Sequence, residues 1–106
     1  MKLAVKHNIC LIPFGGGTSV TLGVAVPEEE ERMVVTVSLA FMQKILFLDR
    51  DALLLWVEAG AVGVSLEERL KKYGVTLGHE PDSMEFSTVG GWVATRASGQ
   101  GLGFRV

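Results

Sequence analysis

The chain has 106 residues, enough for one modest domain with a core of its own. Hydrophobic residues make up 48% of it and charged ones 21%, a balance that excludes intrinsic disorder. A net charge of -2 argues against a nucleic-acid binder, which would show a basic stripe, and no apolar run reaches the ~18 residues that span a bilayer.

Met1 to His7 sets Leu3 and Val5 among Lys2, Lys6 and His7 and reads as the last turns of a helix, with Asn8 as its left-handed stop. His7 is then a solvated helix-end residue. This mixed, partly charged start does not have the form of a secretory leader. Ile9-Cys10-Leu11-Ile12 reads as a short buried strand of the continuous-apolar kind. Cys10 is the single cysteine, so no intramolecular disulfide exists, and a small buried hydrophobe in an intracellular, soluble protein is expected.

Pro13-Phe14-Gly15-Gly16-Gly17-Thr18-Ser19 follows directly. Three glycines remove every Cβ from the turn, so the backbone can take positive φ and approach a ligand closely. A strand ending in such a turn offers backbone N–H groups to an anion, and the Thr18 and Ser19 hydroxyls can add to them. A phosphate or pyrophosphate is the simplest ligand that fits. The competing reading is a tight loop that holds glycine for its geometry alone. No Lys follows the glycines, so the triphosphate-binding loop is excluded, and Val20 to Val26 is too β-branched to open a dinucleotide-type helix.

Thr21 to Val26 is a loop or short strand closed by Pro27, and Glu28 to Glu31 before Arg32 reads as a solvated acidic turn rather than a metal site. Met33 to Leu39 has the composition of a strand. Ile45 to Leu48 and Leu53 to Ala59 are two more, joined through the polar turn Asp49-Arg50-Asp51-Ala52. Gly60-Ala61-Val62-Gly63 breaks the sheet and introduces a helix over 64–73. Leu66, Leu70 and Tyr73 form its buried stripe, and Glu67/Lys71 and Glu68/Lys72 are i, i+4 pairs. Ser65 and Glu68 have capping-box spacing, with Gly63 as the alternative cap, and Gly74 ends the helix. The order of elements predicts an α+β domain with helices packed on a mixed or antiparallel sheet.

From Gly78 onward the chain is rich in small hydroxyl residues and glycine: Gly-His-Glu-Pro-Asp-Ser-Met-Glu-Phe-Ser-Thr-Val-Gly-Gly-Trp-Val-Ala-Thr-Arg-Ala-Ser-Gly. Pro81-Asp82-Ser83 signals a turn. Val89 to Ala97 can start a helix with free N–H groups aimed at an anion, and Arg96 can hold a phosphate or carboxylate bidentately. An irregular connecting loop is the plainer reading. Two Gly/Ser/Thr-rich loops flanking one compact unit favour a diphosphate cofactor.

Pro13 to Ser19 together with Pro81 to Gly99 resembles the flavin-binding domain of the vanillyl-alcohol-oxidase (PCMH) type of FAD enzymes, and within that superfamily the alkyldihydroxyacetonephosphate (alkylglycerone-phosphate) synthase family. The resemblance covers roughly residues 1–99; the pairing of Glu-Phe-Ser-Thr with Thr-Arg-Ala-Ser-Gly is its specific part. It implies FAD contacts at Pro13, Phe14, Gly15, Gly16, Gly17, Thr18 and Ser19. A second set falls at Asp82, Ser83, Met84, Glu85, Phe86, Ser87 and Thr88, and a third at Thr95, Arg96, Ala97 and Ser98. The glycine loop offers Thr18 and no His, so the FAD is expected to be non-covalent. For His79, near the expected cofactor, a structural role is favoured over proton transfer.

The family exchanges the acyl chain of acyl-dihydroxyacetonephosphate for a long-chain alcohol in ether-lipid biosynthesis, a transfer without net oxidation. Its catalytic tyrosine and histidines and its substrate-binding cap lie outside the matched region, so no catalytic residue and no metal are assigned here. The resemblance divides the chain at about residue 20, between the end of one FAD subdomain (1–20) and the start of the next (21–106), and implies a partial domain that is inactive alone. Residues 100–106 depart from the family's continuation, as in a truncated gene model, an alternative transcript or a partial sequence. FAD is the expected partner, with the lipid substrate and a homodimer belonging to the full-length form. The family's compartment is the peroxisome, although the terminal Phe-Arg-Val is no peroxisomal address. Two other readings stay open: an FAD-dependent 2-hydroxy-acid (lactate/glycolate-type) dehydrogenase, and a non-enzymatic folded remnant that binds a partner through exposed sheet edges.

Overall fold

A computed structural model describes residues 1–97. Their elements are α1 (Lys2–Lys6), β1 (Cys10–Phe14), β2 (Val34–Ser38), β3 (Ile45–Asp49), β4 (Leu54–Val57), α2 (Gly63–Lys71) and α3 (Val89–Thr95). Asn8 stops α1 in the left-handed region at φ 51°, and His7 is exposed. β1 runs further than the apolar stretch predicts, through Pro13 and Phe14. Among the described residues it pairs only with β2, so a residue without an N–H is tolerated on its open side.

The β1–β2 pair is parallel, from Cys10 opposite Val34 to Phe14 opposite Ser38. The Cys10 amide donates to Met33 O at 2.9 Å and the Leu39 amide to Phe14 O at 2.9 Å, extending the ladder at both ends. The connection between them forms no strand at 21–26; Leu22 is left-handed there, at φ 56°. In the acidic turn Arg32 folds back onto Glu30, Nε donating to Oε1 at 2.7 Å. These hydrogen bonds, with the guanidinium charge, hold the Glu30 carboxyl down at about 2.

β3 and β4 form the expected hairpin. The Asp49 carboxylate accepts the amides of Asp51 at 3.0 Å and Ala52 at 2.9 Å, which closes the turn. Pairing is antiparallel, with Leu48 opposite Leu55 and an irregularity between Ile45 and Phe47. Ile45, Leu48, Leu55 and Val57 pack inward on the core formed by Ala61, Leu66, Leu70, Val89 and Trp92. Phe47 and Trp56 face outward as a tilted ring pair with centroids 5.8 Å apart. The α+β class stands, with helices against both parallel and antiparallel pairing, in two small sheets instead of one.

α2 buries Leu66 and Leu70 as its periodicity predicts, each contributing about 1.5–3 kcal/mol. Tyr73 does not join them; it is 54% exposed. The helix has already ended at Lys71, and Gly74, at φ 72°, turns the chain away. The capping box does not form either. Val62 is the N-cap without a side-chain cap, Gly63 is already helical, and Ser65 lies inside the helix. The first-turn amides are capped from a distance: Gly63 donates to Ser87 O at 3.1 Å and Val64 to Met84 O at 3.0 Å. The predicted Glu–Lys pairs are also missing, since Arg32–Glu30 is the ion pair found among the described residues. Glu67 instead accepts Thr76 Oγ1 at 2.6 Å and the Leu77 amide at 3.0 Å, donors that hold it without ordering a long lysine side chain. No helix among the described residues is long and apolar enough to cross a membrane.

Candidate cofactor site

The glycine loop leaves β1 and comes to rest on the backbone of a segment about 70 positions away. A Cβ on Gly16 would lie 1.9 Å from the Phe86 carbonyl oxygen, and one on Gly15 would lie 2.3 Å from Thr88 Oγ1. Neither position accepts a side chain without parting the two segments. Gly17 is required for a different reason, its φ of 68°. The geometric reading thus explains all three glycines without a ligand. The same geometry makes one surface of two loops that the sequence keeps far apart. Among the described residues the amides of Gly15 to Ser19 donate to no other group of the chain. Thr18 is exposed, and Ser19 Oγ accepts the Gly23 amide at 3.3 Å.

Residues 82–86 form a turn in which Ser83 is left-handed at φ 57°. The amides of Phe86 and Ser87 both donate to Ser83 O, at 2.9 and 2.8 Å. The segment has two sides. Ser87 and Thr88 are buried and Met84 is packed against the core, while Asp82, Ser83, Glu85 and Phe86 are exposed. Ser87 Oγ accepts the Trp92 indole N–H at 2.8 Å, a partner that sequence reasoning did not foresee. His79 is buried, its ring edge-on to Trp92 with centroids 5.3 Å apart, a setting that suits the structural role.

The helix expected after this segment forms as α3, with Thr88 as its N-cap accepting the Gly91 amide at 3.3 Å. Its N–H groups are not free for an anion, contrary to the sequence expectation. Val89 donates to Ala61 O at 3.0 Å, Gly90 to Ala59 O at 2.8 Å, and Gly91 to its own cap. The turn at 59–61 packs so closely that a Cβ on Gly90 would lie 2.8 Å from that of Ala59. Thr95, Arg96 and Ala97 sit at the other end of α3. At about 1.5 Å per residue its seven residues separate them from Thr88 by roughly 10 Å. Thr95 Oγ1 donates to Gly91 O at 2.9 Å, and Arg96 is exposed at the helix end with φ 53°. Ser98 lies outside the described residues. Gly15 and Gly16 are therefore brought onto residues 86–88, and the described part of the third predicted segment, Thr95 to Ala97, lies at the far end of α3 from Thr88. Among the described residues no three His, Cys, Asp or Glu side chains converge as a metal site would require.

Backbone amides that donate to no other group among the described residues, beside the exposed Thr18 hydroxyl, have the chemistry of a phosphate-binding turn. Several known proteins are similar to this chain in sequence or in fold. The chain is 56% identical over 96 residues to the alkyldihydroxyacetonephosphate synthase of Caenorhabditis elegans, a match covering 91% of this chain and 16% of that protein. A solved alkyldihydroxyacetonephosphate synthase structure superimposes with a TM-score of 0.86 at 44% identity, over 92% of this chain and 18% of the other. The mitochondrial D-lactate dehydrogenase (cytochrome) of Kluyveromyces lactis is 30% identical over 99 residues, 93% of this chain and 17% of that protein. The chain thus spans less than a fifth of the length of each. A model of the FAD binding domain matches residues 1–105. Together with the paired loops, that match over nearly the whole chain places the protein in the FAD binding domain family.

Proposed function

We propose that this chain supplies FAD-holding loops to an alkyldihydroxyacetonephosphate synthase, a flavoprotein that exchanges the acyl chain of acyl-dihydroxyacetonephosphate for a long-chain alcohol. The observation that carries the reading is the seating of Gly15 and Gly16 on Thr88 and Phe86. It sets two segments so distant in sequence side by side, where one cofactor would meet both. Bound FAD would supply the electrophilic ring chemistry of the transfer. Pro13 to Ser19 would hold its diphosphate through backbone N–H groups, and the exposed parts of Asp82 to Thr88 would flank it without a covalent tether. Thr95, Arg96, Ala97 and Ser98 would meet a more distant part of the cofactor. The chain is read as a partial FAD domain divided near residue 20, with the lipid site, the dimer contact and the peroxisomal setting belonging to the longer enzyme. The 2-hydroxy-acid dehydrogenase reading has less support, 30% identity against 56%.

Two measurements test this. Titrating purified chain with FAD should give a saturable flavin-fluorescence change and a rise in Tm, near 2.7 kcal/mol of added stability at about 100 times Kd. Absence of both would refute cofactor binding. Exchanging the matched residues into the C. elegans synthase should preserve ether-forming activity; a chimera that keeps FAD but has lost the transfer would refute the synthase assignment.

A further inference from the structure

Trp92 lies behind the second loop, not in it. The residue is 3% exposed, so a cofactor cannot touch it. Its ring sits under the first turn of α2, where a Cβ on Gly63 would lie 2.6 Å from Cζ2. Packing alone asks only for the ring. The indole N–H is an extra feature, and it is spent on Ser87 Oγ at 2.8 Å, with both residues buried. Ser87 Oγ in turn donates to Asp82 O at 3.4 Å, closing the 82–87 turn on itself. The Ser87 carbonyl is held independently by the Gly63 amide at 3.1 Å. Ser87 is thus fastened through its side chain to α3 and through its main chain to α2. Its neighbours Phe86 and Thr88 are the residues on which Gly16 and Gly15 rest.

We infer that Trp92 is a positioning residue: its indole N–H, acting through Ser87, holds residues 82–88 in the shape that receives the glycine loop, and so sets cofactor affinity from a place the cofactor does not reach. The affinity part rests on the reading of 82–88 as a cofactor-facing segment. Ser87 contributes a fastening, with its hydroxyl turned inward, and the cofactor-facing atoms of the segment are its exposed ones.

The test compares Trp92→Phe, Ser87→Ala and the double variant in the 106-residue chain, by amide hydrogen exchange without FAD and by flavin-fluorescence titration. Trp92→Phe keeps a ring in the core and removes the donor; Ser87→Ala removes the acceptor and leaves the core untouched. In each, amides of residues 83–88 should exchange about tenfold faster while those of Leu66 and Leu70 hold, and FAD should bind about tenfold more weakly, the scale of one lost hydrogen bond. The double variant should be no worse than the worse single one. Unchanged exchange at 83–88, loss of protection spread equally over α2, or two unfolded single variants would each overturn the inference, leaving Trp92 a core residue only. That exchange pattern in the variants, with no FAD binding by the parent chain, would uphold the fastening and refute the cofactor reading.

Discussion

Between Ile45 and Ala97 the chain closes over Ala61, Leu66, Leu70, Val89 and Trp92, whereas between Met1 and Leu39 the buried hydrophobic residues are Ala4 and Ile12. The later region has a hairpin, two helices and an interior. The earlier one has a short helix, a single parallel strand pair and a long irregular connection. It is attached to the later region by backbone contact, at Gly15 and Gly16 on residues 86–88 and at Gly60, where a Cβ would lie 1.9 Å from the Leu39 carbonyl oxygen. The link between the regions is itself tied to the later one, the Lys44 amide donating to Glu58 Oε2 at 2.8 Å and Arg69 Nη1 to Gln43 O at 2.5 Å. One region holds most of the buried core and the other the proposed phosphate donors.

That division can be broken deliberately. Leu70→Ala empties the better-packed region and should lower unfolding free energy by about 2–5 kcal/mol in a denaturant titration. Gly16→Ala strikes the seam instead. Its methyl group must push Phe86 away, so a loss of about 1–3 kcal/mol is expected, with FAD binding reduced more severely than by Leu70→Ala at a temperature where both are folded. Equal binding by Gly16→Ala and the parent chain would show that the loops act separately. Gly17→Ala leaves the seam intact and strains one φ, for about 1–2 kcal/mol. Arg32→Gln should be felt only locally. The Glu30 carboxyl, held at about 2 against an ordinary 4.5, contributes stability that is present above pH 4.5 and lost as pH falls through about 2. In the variant its carboxyl carbon should titrate near 4.5 by NMR, with FAD binding unchanged.

The better-packed region was also the more legible one. The hairpin followed from apolar runs on either side of the polar turn Asp49 to Ala52, and α2 from Leu66 and Leu70, because local periodicity and local burial coincide there. The failures share a cause: a distant partner replaced a local one. Ser65 had capping-box spacing, but the carbonyls of Met84 and Ser87 cap α2 from afar. The N–H groups of α3 looked free, yet Ala59 and Ala61 take them. Tyr73 fitted the helical period and fell beyond the helix end. At the candidate site, the glycine loop was singled out from its residues and the 82–88 segment from the family resemblance. That Gly15 and Gly16 are needed to seat one on the other was not, since a glycine does not say what approaches it. Trp92 gave one weak signal, a large donor-bearing side chain inside a run of glycines and small residues.

The seam between the regions also bears on the order in which the molecule assembles. Gly16 and Phe86 are separated by about 70 positions, and closing so long a loop costs about 2 kcal/mol more entropy than closing the hairpin turn. The hairpin and α2 make their contacts at short range and can form early, at hairpin and helix rates. The docking of the glycine loop must wait for the 82–88 segment to be fastened in place. On the loop-closure cost it is expected to be the last step of folding and the first to be undone, so a nascent chain would acquire its interior before the proposed phosphate cradle, and a ligand held there would act as a latch on the final closure.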